Sequence, residues 1–378
     1  MRTLVHSVRL LGSASIGGDQ RDAWALFDGD RVGAVGVGGD LPSADATVDG
    51  ADGCLVPGFI DIHGHGGARA AFDDGPDAVG IARALHRSHG TTRAVLSLIT
   101  APVDALAGRV TMVADLCESD PSILGSHLEG PFLDPGHKGA HTESLLRAPD
   151  AASVDRLLEA GRGTIRQVTL APELPGSFDA IRRFVDAGVA VGVGHTDADA
   201  DTARRAFDAG ATLLTHAFNA MPGIHHRAPG PVIAGLRDPR VTLEVIADGV
   251  HVDLELIATL FAVAGDRVAL ITDAMAAAGA ADGRYELGGL AVRVTDGVAR
   301  LEEGGAIAGS TLTQDAALRN VARAGVPLAT VVHALSTQPA RAIGRADLGT
   351  LDVGALADAV LLDDALAVQR VWVAGRDA

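Results

Sequence analysis

Hydrophobic and polar positions alternate in two different textures along the chain. Up to residue 56 the apolar runs are short, separated by turn residues, and without helical period over a useful length. Asp28-Gly29-Asp30 stands between apolar runs at 23–27 and 31–37, which predicts a hairpin. From Pro57 onward, continuous apolar runs alternate with segments of 3.6-residue period. The expected strands are 58–62, 92–98, 122–127, 164–170, 189–193, 211–214, 241–246 and 267–271. The expected helices between them include 77–89, 102–118, 151–160, 178–187, 199–208 and 254–264. Runs apolar on both faces, alternating with helices, predict an α/β protein with a parallel sheet. Eight such units predict a (β/α)8 TIM barrel. A doubly wound open sheet is the competing architecture, but no Gly-x-Gly-x-x-Gly opens a helix after the first strand, so a dinucleotide site is not supported.

After the eighth expected strand, 285–301 reads as a hairpin insertion with its turn at Asp296-Gly297. Helices are expected at 313–324 and 328–335, and the tail returns to short strands and turns. The two β-rich ends are therefore expected to pair. The predicted organisation is a small discontinuous β-sandwich domain from residues 1–56 and 345–378, flanking a barrel over 57–344.

Composition narrows the function classes. A formal net charge of -17 argues against a nucleic-acid surface or docking on anionic membranes, while leaving room for an anionic small molecule in a pocket. Cys54 and Cys117 are the only cysteines, which makes neither a disulfide framework nor a thiolate zinc site. With no basic-then-apolar leader pattern and no apolar run of spanning length, the expected location is the cytoplasm.

The candidate chemistry sits at the ends of the expected strands. The first run leads to His63 and His65, one residue apart, and in a strand residues i and i+2 face the same way. The glycines just past the pair allow a tight turn. The third strand ends in His127-Leu128-Glu129-Gly130-Pro131, the fifth in Gly194-His195 and the sixth in Thr215-His216-Ala217-Phe218-Asn219. The seventh leads to Asp248-Gly249-Val250-His251 and the eighth to Thr272-Asp273. In a barrel all these ends share the catalytic rim. His86, His89 and His333 fall on helices instead and read as ordinary surface or partly buried histidines. Four histidines and two carboxylates at one mouth suit one or two divalent cations bound through nitrogen and oxygen. Such ions acidify a bound water and polarise a carbonyl, and a neighbouring carboxylate can move the proton to a leaving nitrogen. The reaction class is hydrolysis of an amide-like bond, or a deamination.

These motifs resemble the amidohydrolase superfamily and, within it, the N-acetylglucosamine-6-phosphate deacetylases. The resemblance rests on residues 57–67, 127–132, Gly139-Ala140-His141, Ala171-Pro172-Glu173, Gly194-His195-Thr196, 215–221, 246–251, Thr272-Asp273-Ala274 and 308–313. It implies removal of acetate from N-acetylglucosamine 6-phosphate, with Glu129, His195 and His216 holding the principal metal. His63 and His65 make a second ion plausible, with Asp273 both at the metal and as general base, then acid. Zinc is the first expectation, with iron, cobalt or manganese as alternatives. His141 is implied to polarise the acetyl carbonyl. Asn219, Ala220, Arg227 and His251 are implied to receive the sugar phosphate, and Asp248 is implied to be a further substrate-binding residue. Ala140 and Ile307, Ala308 and Gly309 are implied to line the sugar or acetyl pocket. A homodimer is implied, in which Arg227 can act across the interface.

Some superfamily branches bridge two metals with a modified strand lysine. Lys138 is the only lysine of this chain and falls in a loop, which disfavours those branches. His225 and His226 read as loop residues near the pocket, and Glu173 as a rim hydrogen-bonding residue. The rival readings are the same chemistry on the galacto epimer, a hydrolase of a cyclic amide or nucleobase, and a barrel that has lost activity.

Overall fold

The computed structural model describes residues Met1–Ala378. Eight strands form one all-parallel sheet in chain order: Phe59–Asp61, Thr91–Ile99, Ile123–Glu129, Ile165–Leu170, Ala190–Val193, Leu213–Leu214, Thr242–Ile246 and Val268–Ile271. The first and eighth strands share no ladder. Their seam is closed at the rim, where Asp273 N–H donates to His63 O at 2.8 Å and the Thr272 hydroxyl donates to Asp61 Oδ2 at 2.6 Å. This is a (β/α)8 barrel, and its strands are apolar on both faces because helices cover the outside while side chains fill the inside.

The crossover helices follow from local signals. Ala151–Gly161 is capped by Asp150, whose carboxylate accepts from Ser153 N, and buries Val154, Leu157 and Ala160 at helical spacing. Asp199 caps Ala200–Asp208 through Thr202 N in the same way. Two helices escape the sequence reading, Gly230–Arg237 and Thr337–Ala342. The expected hairpin insertion is a three-stranded antiparallel sheet, Gly283–Leu287, Leu290–Thr295 and Val298–Leu301, with Asp296-Gly297 turning between the last two. Its inner face, with Leu287, Val292, Val294 and Ala299, packs on Ile99, Ala140, Met275 and Ala308 at the barrel mouth.

The two ends of the chain share one sheet. Arg376–Asp377, Val368–Val373, Ala359–Leu362, Cys54–Pro57, Arg2–Ser13, Gly18–Asp28 and Arg31–Val37 follow in that order, and Ala46–Asp49 also pairs with Arg2–Ser13. Phe27 and Trp372 lie on strands four ladder steps apart, about 19 Å in a flat sheet. Their ring centroids are only 5.7 Å apart, so the sheet folds over its own core as a sandwich does. The segment 349–358 contributes turns rather than a strand, with Leu351 N–H on Gly12 O. Between barrel and sheet, Arg93 pairs with Asp358 in a buried bidentate contact. No helix is long and apolar enough to cross a membrane.

Candidate active site

The barrel mouth gathers six of the expected side chains around one carboxylate, Glu129, the last residue of the third strand. His63 Nε2, His195 Nε2 and His216 Nε2 each lie 3.2 Å from Glu129 Oε1. His65 Nε2 lies 3.0 Å and His141 Nε2 3.5 Å from Oε2. Asp273 Oδ1 stands 3.4 Å from His65 Nε2 and 3.7 Å from His63 Nε2. All of these residues are buried, Asp273 least so.

The backbone works to aim them. His195, His216 and Asp273 each follow a strand end and take φ of +47°, +27° and +49°, a region that costs about 1–2 kcal/mol for a residue with a Cβ. Left-handed backbone there turns the side chain back into the mouth. His63 and His65 converge by another route than the one expected. The strand stops at Asp61, so the pair does not share a pleated face but sits in the bend beyond it. Gly64 between them packs so closely that an added Cβ would lie 3.0 Å from Thr272 Oγ1.

Hydrogen bonds behind the rings fix which nitrogen faces the mouth. His63 Nδ1 lies 3.1 Å from Glu244 Oε2, a carboxylate that can only accept, so Nδ1 carries the proton. His195 Nδ1 donates to His137 O at 2.9 Å. The Thr100 hydroxyl donates to Glu129 O, so it accepts from His141 Nδ1 at 2.8 Å. Neutral rings held this way turn bare Nε2 lone pairs toward Glu129. His195 Nε2 and His216 Nε2 are 3.0 Å apart, and His63 Nε2, fully buried, has no hydrogen-bond partner. Lone pairs converging on a carboxylate call for positive charge between them. The donors form two overlapping groups, His63, His65, Glu129 and Asp273 in one, Glu129, His141 and His195 in the other. This set fits a divalent cation, with Glu129 common to both groups.

The carboxylates here draw positive charge, whether as a proton on a ring or as a cation between the rings. Burial lowers the pKa of His65, yet the Asp273 and Glu129 carboxylates raise it to about 9, and His63 is raised well above its ordinary value by Glu129, Glu244 and Asp273. Burial raises Asp273, but the hydrogen bond from His65 and the charge of His63 bring it below the usual carboxylate range. Burial pushes His141 down to about 4, so its ring is neutral near pH 7.

A cleft of about 350 Å³ opens above this cluster. Its wall includes Ala140, His141, Asn219, Ala220, His251, Ile307 and Gly309, seven of the ten expected substrate contacts. Three others do not line it. Arg227 is exposed, with Nη1 2.7 Å from His226 Nε2. Asp248 turns to His251, its Oδ2 2.7 Å from Nδ1 and its Oδ1 on two backbone N–H groups. Ala308 is fully buried in the insertion's core.

His127, counted on the rim by its motif, points into the barrel two residues before Glu129, with Nδ1 on Ser97 Oγ and Nε2 on Thr169 Oγ1. Burial and the nearby His63 hold its pKa far down. Lys138 is exposed in its loop and pairs with Glu143 at 2.8 Å. Glu173 accepts from the Thr196 hydroxyl and from Asp197 N. Of the helical histidines, His86 is buried against Gly66 O and His89 pairs with Asp315. The sequence reading missed Glu244 and its partner Gln167, whose Nε2 donates to Glu244 Oε1 at 2.6 Å. The available signal was a Glu and a Gln inside otherwise apolar strands, which a buried parallel sheet does not carry without a reason.

The amidohydrolase family model matches residues 54–377. The chain is 43% identical over 329 residues to the N-acetylgalactosamine-6-phosphate deacetylase of Escherichia coli O157:H7, covering 85% of this chain and 87% of that one. It is 36% identical over 328 residues to the N-acetylglucosamine-6-phosphate deacetylase of Vibrio furnissii, covering 85% and 82%. A solved structure of N-acetyl-D-glucosamine-6-phosphate deacetylase from Mycobacterium smegmatis, in complex with N-acetyl-D-glucosamine-6-phosphate, matches with a TM-score of 0.94 at 43% identity. That match covers 100% of this chain and 98% of that one.

Proposed function

Since this chain belongs to the amidohydrolase family and groups with its amino-sugar-phosphate deacetylases, we propose that it hydrolyses N-acetylglucosamine 6-phosphate to glucosamine 6-phosphate and acetate. The observation that carries the reading is the set of oriented Nε2 lone pairs around Glu129 beneath a cleft with Asp273 at its floor. Glu129, His195 and His216 hold the principal cation, and His63, His65 and Asp273 offer a second position. The metal is zinc in this proposal, with iron, cobalt or manganese as alternatives. When bound, the cation supplies Lewis-acid polarisation of the acetyl carbonyl and lowers the pKa of water. The residues do the rest. Asp273, ionised, takes a proton from the attacking water and delivers it to the departing amine. His141 faces the acetyl side with its Nδ1 proton held by Thr100 and its ring neutral near pH 7, so its bare Nε2 would act on the carbonyl through the cation and not as a proton donor. Asn219, Ala220 and His251 receive the phosphate end, with Asp248 holding the His251 ring. Ala140, Ile307 and Gly309 shape the sugar wall, with Ala308 buried behind it.

The proposal includes a cytoplasmic homodimer in which Arg227, outside the cleft of its own chain, reaches the phosphate of the neighbouring one. Light scattering on a size-exclusion column tests the dimer, and a monomer that is fully active would remove that role. The domain division proposed, 1–56 with 345–378 around 57–344, is supported by the separate core beneath the terminal sheet.

The test of function is acetate release from N-acetylglucosamine 6-phosphate, its galacto epimer and unphosphorylated N-acetylglucosamine, on protein of known metal content. Release from a phosphorylated sugar alone is expected. The 43% identity to the E. coli galacto enzyme favours a second reading, the same chemistry on the epimer. The faster phosphorylated sugar decides between them, and no release from any of the three sends the assignment to cyclic amides and nucleobases.

A further inference from the structure

The insertion sheet carries an arrangement that its own stability does not explain. Arg284 stands opposite Arg293, Arg293 opposite Arg300, and Arg300 opposite Ile307. Residues directly opposite in an antiparallel ladder point to the same face, so three guanidinium groups line up in one row across the outer face of this sheet. Like charges in such a row oppose sheet formation. Glu302 answers part of that repulsion by pairing with Arg284 and with Arg293 at 3.0 Å. No carboxylate lies within 4 Å of Arg300, whose Nη1 donates only to Gly305 O at 3.1 Å. The row thus ends in a cation without a counter-charge. It ends beside the cleft, because Ala306 next to Gly305 and Ile307 opposite Arg300 both belong to the cleft wall. The pKa of His251, on the same wall, is lowered by burial and raised on balance by Asp248, with Arg300 as the smallest opposing charge.

We propose that Arg300 is a substrate-binding residue of its own chain, which draws the anionic phosphate end of the substrate to the cleft and holds it there opposite His251. The inference rests on the proposed function, since it needs a phosphorylated substrate. It assigns to this chain the local cation that Arg227, turned outward onto His226, does not provide here. In a chain of net charge -17 a phosphate monoester is repelled at long range, and an unpaired guanidinium at the mouth counters this where it matters.

The test is steady-state kinetics of the metal-loaded enzyme and its R300Q and R300K variants on N-acetylglucosamine 6-phosphate and on the unphosphorylated sugar. R300Q is expected to raise KM for the phosphorylated sugar about tenfold, with kcat within about twofold, and to flatten the rise of KM with ionic strength. R300K, which keeps the charge and loses the fork, is expected to fall between the two. R284Q, at the far end of the row, is expected to leave KM at the wild-type value. A wild-type enzyme that favours the phosphorylated sugar, together with an unchanged KM in R300Q, or in R300K should R300Q not fold, overturns the role of Arg300 alone. A wild-type enzyme indifferent to the phosphate overturns the proposed function as well.

Discussion

Two buried clusters of charge in this protein look alike by burial and differ in how completely the chain answers them. At the seam between barrel and terminal sheet, the Arg93 guanidinium spans both oxygens of Asp358. Its Nη1 also donates to Pro121 O at 2.6 Å, and Asp358 Oδ1 accepts from Ala374 N at 2.7 Å. Every side-chain nitrogen and oxygen of the pair has a partner. At the mouth, five imidazole nitrogens press toward one carboxylate, two of them 3.0 Å from each other, and His63 Nε2 bonds to nothing. Buried charge by itself therefore does not mark a functional site. A cluster whose own groups face one another with like polarity does, because only something brought from outside completes it.

That contrast makes its strongest demand on Asp273. Asp273→Asn is expected to keep the cation assigned to Glu129, His195 and His216 and to lower acetate release by about a thousandfold. Turnover near wild type would remove the assigned base. The seam is expected to respond the other way. Asp358→Asn leaves the Arg93 charge buried and alone, which costs about 3–5 kcal/mol of stability, read from the urea midpoint. Its kcat/KM per folded molecule is expected to hold, and a parallel loss of turnover would break the distinction between the two clusters.

A third cluster sharpens the distinction through pH. Burial raises the pKa of Asp315, but His89, Thr313 and Arg319 bring it down to about 2. A depressed carboxylate contributes stability above its unfolded pKa of 3.8 and loses it as the pH falls toward 2. The amount is about 2 kcal/mol, so Asp315→Asn is expected to flatten acid unfolding between pH 4 and pH 2. An unchanged acid limb would show that Asp315 titrates normally. The smallest expected effect tests the link behind the mouth. Glu244→Gln weakens the partner of His63 Nδ1 and is expected to reduce metal affinity about tenfold in competition with a chelator. Affinity equal to wild type would make Glu244 a purely structural carboxylate.

Much of this was legible in the sequence for a physical reason. A barrel strand is buried on both faces, so each of the eight reads as an apolar run, and every expected run contains an observed strand to within a residue or two at its ends. Glu129, His195, His216 and Asp273 were legible because they stand where those runs stop. Gly230–Arg237 was not, since Pro229, Gly230 and Pro231 read as breakers although prolines are tolerated in a first helical turn. Gln167 and Glu244 hid because their partners come from other strands, and no local period shows that pairing. The outward turn of Arg227 and the Arg284–Arg293–Arg300 row were hidden likewise, since both depend on how loops and strands register in space.

The strand order of the terminal sheet also sets a timetable for synthesis. Ala359–Leu362 lies against Cys54–Pro57, and roughly 300 residues of chain separate the two. At about 5–20 residues per second, the edge carrying Leu55 and Val56 waits some 15–60 s for its neighbour to leave the ribosome. For that interval the nascent chain holds a whole barrel's length of sequence beside an apolar, unpaired strand edge, the kind of surface that invites pairing with another chain. The last strands made are the ones that cover it, so a chain cut short before residue 359 would leave that edge without its native neighbour.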